Sequence, residues 1–219
     1  MRKILIFILL IAGCSFGPGN FQSRHSTDLE TRKIKRIAVL PPPAMLAEMT
    51  PNVPYTVTVP HDRRPSEREA PLTLTRLLYS NMASTPQWQI VSEAEVWEVA
   101  QTVTSGTEVA RMLRIGELVY ADAVLTSRVL RFRERVGDEW GAKSPASVAF
   151  VVDLLDVKRG DVVWSGRFDE TQKSLSENIF AIGEISQRGI RWLSAEQLAA
   201  DGARKAVSQL HQVLYRTPS

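Results

Sequence analysis

The chain has a single thiol, Cys14, and it stands directly behind Ile11-Ala12-Gly13. An aliphatic residue, two small residues and a cysteine suit one reaction. The Cys14 thiolate accepts a diacylglycerol group at a membrane surface. The small side chains let a peptidase cut the bond ahead of Cys14, and the freed amino group is then acylated. Elsewhere reactive groups are sparse. His25, His61 and His211 have no metal-ligand spacing to one another, to the cysteine or to a carboxylate. They read as solvated or hydrogen-bonded side chains. There is no Gly-rich phosphate loop and no G-x-S-x-G elbow. Asp153, Asp156, Asp161, Asp169 and Glu170 could bring two carboxylates together across a hairpin, as general acid–base chemistry requires. Acids so placed more often finish strands or pair with arginines. The expected cofactors are none beyond the covalent diacylglycerol and N-acyl chain on Cys14, and no metal is expected.

Two patches suit recognition rather than reaction. Arg131, Arg133 and Arg135 recur at period two, so a strand puts them on one face and Leu130 and Phe132 on the other. Such a row would dock an anionic partner: lipid phosphate, an acidic protein face or glycan carboxylates. The plainer reading, a strand end matched by acids on the next strand, is favoured because exposed ion pairs are common and contribute little. The apolar run Ile179-Phe180-Ala181-Ile182-Gly183, with Ile185, suits an oligomer or membrane contact. The alternative, a helix packed on the sheet, is favoured. Trp140, in a Gly-flanked polar turn, is the tryptophan expected to be exposed and a candidate partner or bilayer contact. Trp88, Trp97, Trp164 and Trp192 read as core or core edge.

The leader explains the cysteine. Met1-Arg2-Lys3 is a basic start, and Ile4 to Ile11 is an uncharged apolar run, shorter than the ~20 residues of a spanning helix. With the small residues and Cys14 this is a lipobox signal, giving residues 1–13 as a removable signal peptide. Residues 14–33, rich in Ser, Gly, Asn and Thr, read as a lipidated N-terminus and flexible tether. Fully stretched, that tether reaches about 65 Å; as a coil it spans nearer ~25 Å. Two or more acyl chains anchor stably. Ser15 stands where an aspartate often signals inner-membrane retention, which favours the periplasmic side of the outer membrane. The chain of 219 residues is 44% hydrophobic and 23% charged, enough for one core, and excludes a disordered or collagen-like chain. Removing Arg2 and Lys3 lowers the 27 basic residues to 25 against 24 acidic ones. That balance and the poor aromatic interleaving give no footprint for nucleic acid.

Residues 34–219 read as one domain. Ile34 to Pro41 is a strand, and residues 44–65 are irregular with a short strand at Tyr55 to Val59. Ser66, Glu69 and Pro71 open a helix with Leu74, Leu77, Leu78 and Met82 on one face. Trp88 to Val91 is a strand. Ser92-x-x-Glu95 and Ser105-x-x-Glu108 are capping boxes before two further helices. Long strands follow over about 122–136, 147–158 and 161–171, then a helix over about 174–186. A last helix opens at Ser194-x-x-Gln197. This order implies an α/β domain, a mixed β-sheet packed with helices.

Ile34 to Pro41 (IKRIAVLP), Tyr120 to Leu125 (YADAVL) and Val152 to Gly166 (VDLLDVKRGDVVWSG), in that order behind a lipobox, resemble one group. It comprises bacterial lipoproteins whose domain is similar to the TolB amino-terminal domain, including the curli secretion lipoprotein CsgG and the peptidoglycan-synthase activator LpoB. The resemblance covers about residues 34–214. It implies a non-catalytic envelope protein that binds or assembles, with a protein partner in the envelope or as a homo-oligomer. The candidate pore hairpin, Arg133 to Ser147, is short and polar, against the ~9–11 alternating residues that each spanning strand needs. The tether is short for an LpoB-like activator. The expectation is therefore an accessory or scaffold lipoprotein; the alternatives are a CsgG-like oligomeric secretion component, an LpoB-like activator, or a glycan hydrolase or binder using the hairpin acids. Cys14→Ala is expected to leave the domain folded and move it from the membrane to the soluble fraction on cell fractionation. Persistence in the membrane would mean that something other than lipid holds it.

Overall fold

The computed structural model describes residues 20–48, 65–138, 142–172 and 192–215. A six-stranded sheet runs through them in the order β1-β8-β7-β4-β2-β3. Its members are β1 (Phe21–His25), β2 (Arg36–Val39), β3 (Gln89–Ile90), β4 (Ala123–Arg133), β7 (Ser147–Asp156) and β8 (Val162–Thr171). The β1–β8, β8–β7 and β7–β4 pairs are antiparallel; β4–β2 and β2–β3 are parallel. The sheet is therefore mixed, as the element order implied. Between β4 and β7 a two-stranded ribbon forms from β5 (Val136–Gly137) and β6 (Ala142–Ser144).

Helices cover one face of this sheet fully and the other in part. On the first face lie α2 (Pro65–Ala83) and α5 (Ala195–Leu214). Leu74, Leu78 and Met82 from α2 and Ala199, Ala203, Ala206 and Leu210 from α5 are buried against Phe150, Trp164 and Phe168. The Phe150 and Phe168 rings sit 5.1 Å apart between centroids. On the second face, α1 (Pro43–Glu48), α3 (Glu93–Thr102) and α4 (Glu108–Leu118) enclose a smaller core. Ala38, Leu40, Val124 and Leu155 of the sheet meet Val96, Ala100, Met112 and Ile115 there. The apolar periodicity of α2, α3 and α5 matches the faces expected of them. Residues 44–48, within the stretch 44–65 expected to be irregular, belong to α1, because Pro43 opens a turn whose Leu46 is buried.

Capping signals set three helix starts. The Ser194 hydroxyl accepts from the Gln197 amide at 3.1 Å, while the Gln197 side chain accepts from the Ser194 amide at 2.8 Å, a complete capping box. Ser92 caps α3 by accepting from the Glu95 amide. Ser105 does not cap α4. Thr107 does, accepting from the Ala110 amide at 3.2 Å, because Gly106 at φ +101° turns the chain before it.

The tether expectation for residues 14–33 is corrected over residues 20–33. Phe21–His25 pair with β8, and Leu29–Arg32 form a 3₁₀ turn with Leu29 only 1% exposed. Phe21 stacks on Trp164 at 6.3 Å. No alternation announced this strand, because it lies at the sheet edge and residues 22–25 are all exposed. Cys14, the strand expected at Tyr55 to Val59, Trp140 and the helix expected over about 174–186 lie outside the described residues.

The α5–sheet contact fixes a sign that helix propensity alone gets wrong. A Cβ added at Gly202 would stand 2.8 Å from the rings of both Phe150 and Phe168. Gly202→Ala gains up to ~1 kcal/mol of helix propensity. Overpacking two fully buried rings costs about 1–3 kcal/mol. Chemical denaturation is expected to show net destabilisation; an unchanged or raised midpoint would contradict this packing.

Candidate functional site

The described residues carry two organised charge clusters. The first is centred on Arg32, whose side chain is 5% exposed. Its guanidinium donates two parallel bonds to Asp161, at 2.6 and 2.8 Å. Nε and Nη2 donate to Asp28 at 3.0–3.2 Å, and Nη1 to Asp156 at 3.2 Å. Asp156 also accepts from the Arg159 amide at 2.9 Å, which closes the β7–β8 turn, and Arg159 reaches Asp28 at 3.0 Å. The bonds from Arg32 hold Asp28 and Asp161 below the usual carboxylate range. Arg32 is held further from deprotonation, chiefly by Asp161.

The second cluster lies on the sheet face opposite α2 and α5. Cross-strand register puts Arg128 opposite Val151, Arg131 opposite Ala149 and Arg133 opposite Ser147. Across β7 these rows continue to Arg167, Asp169 and Thr171 of β8, and Gln22 of β1 stands opposite Arg167. Arg131 bonds Ser147 at 2.6 Å through Nε and bridges to Asp169 through Nη2. Arg167 joins the same carboxylate at 3.1 Å. Arg131 first, and Arg167 after it, keep Asp169 below the usual carboxylate range. Arg131 and Arg133 also border an open pocket of about 510 Å³ with Glu67, Glu134, Ser147 and Thr171.

The sequence row is thus partly assembled and partly broken. Arg131 and Arg133 share a face, as period two requires. Arg135 does not: β4 ends at Arg133, and the Arg135 guanidinium donates to the Trp192 carbonyl. Leu130 does not join Phe132 in the core. A register shift between Val129 and Arg131 makes Leu130 an extra residue and leaves it 47% exposed, while Phe132 is 8% exposed. The same bulge brings Arg128, three residues before Arg131, onto the arginine face. Period-two counting missed Arg128, and it missed Arg24 and Arg167 because face membership needs the strand pairing. Cys14, Trp140, Ile179, Phe180 and Ile182 lie outside the described residues.

The other candidates resolve simply. Three of the five hairpin acids, Asp156, Asp161 and Asp169, each receive an arginine, and Glu170 accepts from the Asn20 side-chain amide. His211 stands in an aromatic cluster, 5.4 Å from Trp88 and 5.1 Å from Tyr215 between ring centroids. With His25, Glu30 and Tyr215 it borders a second open pocket of about 440 Å³. Among the described residues no group of His, Cys, Asp or Glu is placed to hold a metal ion, and no helix is long and apolar enough to cross a membrane.

No family model matches the chain, and no curated protein matches it. Solved structures do. The chain is similar to the PelC dodecamer from Paraburkholderia phytofirmans, with 15% identity and a TM-score of 0.47 over 87% of this chain and 95% of that one. It is similar to lipoprotein GNA1162 from Neisseria meningitidis, with 15% identity and a TM-score of 0.41 over 70% and 91% of the two chains. The LpoB C-terminal domain from Salmonella enterica is 17% identical, with a TM-score of 0.37 over 63% of this chain and 83% of that one. LpoB belongs to the group that the sequence resembles.

The Arg32 cluster predicts an acid limb. Depressed carboxylate pKa values add stability that is full above the ordinary carboxylate range and is lost as pH falls through the lowered values. Unfolding free energy is therefore expected to fall on acidification from about pH 5 to 2. Arg32→Gln is expected to lower stability at neutral pH and to flatten that fall. Denaturant titrations at several pH values check it; an unchanged acid slope in the variant would contradict the assignment.

Proposed function

We propose that the chain is a lipid-anchored, non-catalytic envelope lipoprotein that serves as an accessory or scaffold for an envelope assembly on the periplasmic side of the outer membrane. The observation that carries this reading is the Ile11-Ala12-Gly13-Cys14 site behind a basic start and a short apolar run. The fold supports it in two ways. First, Asn20, which is hydrogen-bonded into the sheet, stands six residues after Cys14, and six residues stretch to about 20 Å at most. The domain of such a lipoprotein stays against its membrane, which favours a local partner over one across the periplasm. Secondly, a general acid acting near neutral pH needs a raised carboxyl pKa. The arginines push Asp161 and Asp169 the other way.

Two measurements on protein extracted from the membrane in mild detergent test the proposal. Mass spectrometry of the mature N-terminal peptide is expected to find Cys14 as the first residue, carrying diacylglycerol and an N-acyl chain. An unmodified Cys14 within an uncut leader would overturn the anchor. Crosslinking before extraction, followed by native mass, is expected to join the chain to proteins of one envelope complex. A large particle made of this chain alone would replace the scaffold reading with the oligomeric secretion reading.

A further inference from the structure

We propose that the open face of the β4–β7–β8–β1 half-sheet rests on anionic lipid headgroups of the membrane beside the anchor. Among the described residues no helix covers this face: α2 and α5 pack on the opposite side, and α1, α3 and α4 stop at the Val124–Leu155 end. Strand β4 contributes Arg128, Arg131 and Arg133, β8 contributes Arg167, and β1 contributes Arg24, opposite Ser165. Two acids, Asp153 and Asp169, share the face with these five arginines. Asp169 is divided between Arg131 and Arg167. Among the described residues Arg128 is met only by Glu108 of α4, at 3.7 Å. Arg24 and Arg133 are exposed and have no ion-pair partner among the described residues. On the strands of this face five arginines stand against two acids, with Glu108 of α4 beside Arg128 and Glu67 and Glu134 across the pocket that Arg131 and Arg133 border. A guanidinium bonds phosphate through two parallel N–H groups, so a flat row of them suits a phosphate-bearing plane.

The position of the chain entry selects lipid among anionic occupants. The Asn20 carbonyl accepts from the Asp169 amide at 2.9 Å, so Asn20, six residues after Cys14, stands beside the Arg131–Asp169–Arg167 row. Six residues, or about 20 Å of stretched chain, separate that point from Cys14. This nearness rests on the anchor reading above; the charge of the face does not.

The test therefore uses the full chain carrying Cys14→Ala, which cannot be lipidated. It is floated with vesicles of one part phosphatidylglycerol to two parts phosphatidylcholine, and with phosphatidylcholine alone. The leader, whose Arg2 and Lys3 also favour anionic lipid, is common to parent and variants, so the comparison between them on one vesicle type isolates the face. Binding is expected to be stronger on the anionic vesicles and to weaken with added salt. Adding Arg24→Gln and Arg133→Gln together removes two charges that hold no partner. It is expected to weaken partitioning to anionic vesicles about thirty-fold. Arg204→Gln, on the exposed side of α5 and paired with Asp201, is expected to change nothing. Equal binding to both vesicle types, or a double variant that binds like its parent, would overturn the proposal. Loss of crosslinks to an acidic envelope protein in a double variant with unchanged lipid binding would assign the face to protein instead. Because Cys14 is absent from the flotation, its result stands whatever the mass of the native N-terminal peptide shows.

Discussion

One buried guanidinium joins the beginning of this fold to its longest hairpin. Arg32 is almost fully enclosed, and three carboxylates from two distant stretches, Asp28 on one side and Asp156 and Asp161 on the other, match its charge. A buried charge with its partners in place is tolerated, whereas removing one partner leaves an uncompensated charge. The 3₁₀ turn at Leu29–Arg32 is therefore held against the β7–β8 turn, with Leu29 as its apolar foot. From that point β1 can run back along β8 in register, Phe21 opposite Phe168 and His25 opposite Trp164. The edge of the sheet, the stacking of Phe21 on Trp164 and the place where the chain enters the domain all follow from this attachment.

The same attachment fixes where Asn20 stands on the sheet. Phe21–His25 are a strand of the sheet and Leu29–Arg32 pack against it, and Asn20 stands six residues after Cys14 in the sequence. The chain comes in beside Asp169, on the rim of the arginine face. The opposite face is filled by Phe150, Trp164 and Phe168 beneath α2 and α5, where Gly202 lets the helix approach to ring contact. The two faces thus carry different chemistry. One is a dry aromatic and aliphatic layer. The other, beyond α3 and α4, is a polar plane whose β7 residues, Ala149 and Val151, are short enough to leave guanidinium groups at the surface.

Much of this was legible in the residues. The long strands β4, β7 and β8 and the α5 capping box follow from periodicity and short-range hydrogen bonding, which the chain reports directly. What was not legible depended on distant partners. Residues 21–25 carry no apolar alternation because an edge strand takes its pairing from β8 and exposes its side chains. The β4 bulge is a one-residue register shift that no hydropathy pattern contains, and it brings Arg128 beside Arg131 and Arg133, while Arg135 is lost because β4 ends at Arg133. Ser105 and Thr107 both suited a cap. The turn at Gly106 chose between them.

Amide hydrogen exchange across Phe21–Arg32 in the full-length protein tests the central claim most directly, that this stretch belongs to the fold and not to the leash. The account predicts that the β1 amides paired to β8 exchange far more slowly than an unstructured peptide, and that Arg32→Gln raises their exchange more than it raises that of the β4–β7 pair. Exchange of residues 21–32 at unstructured-peptide rates in the unaltered protein would contradict it.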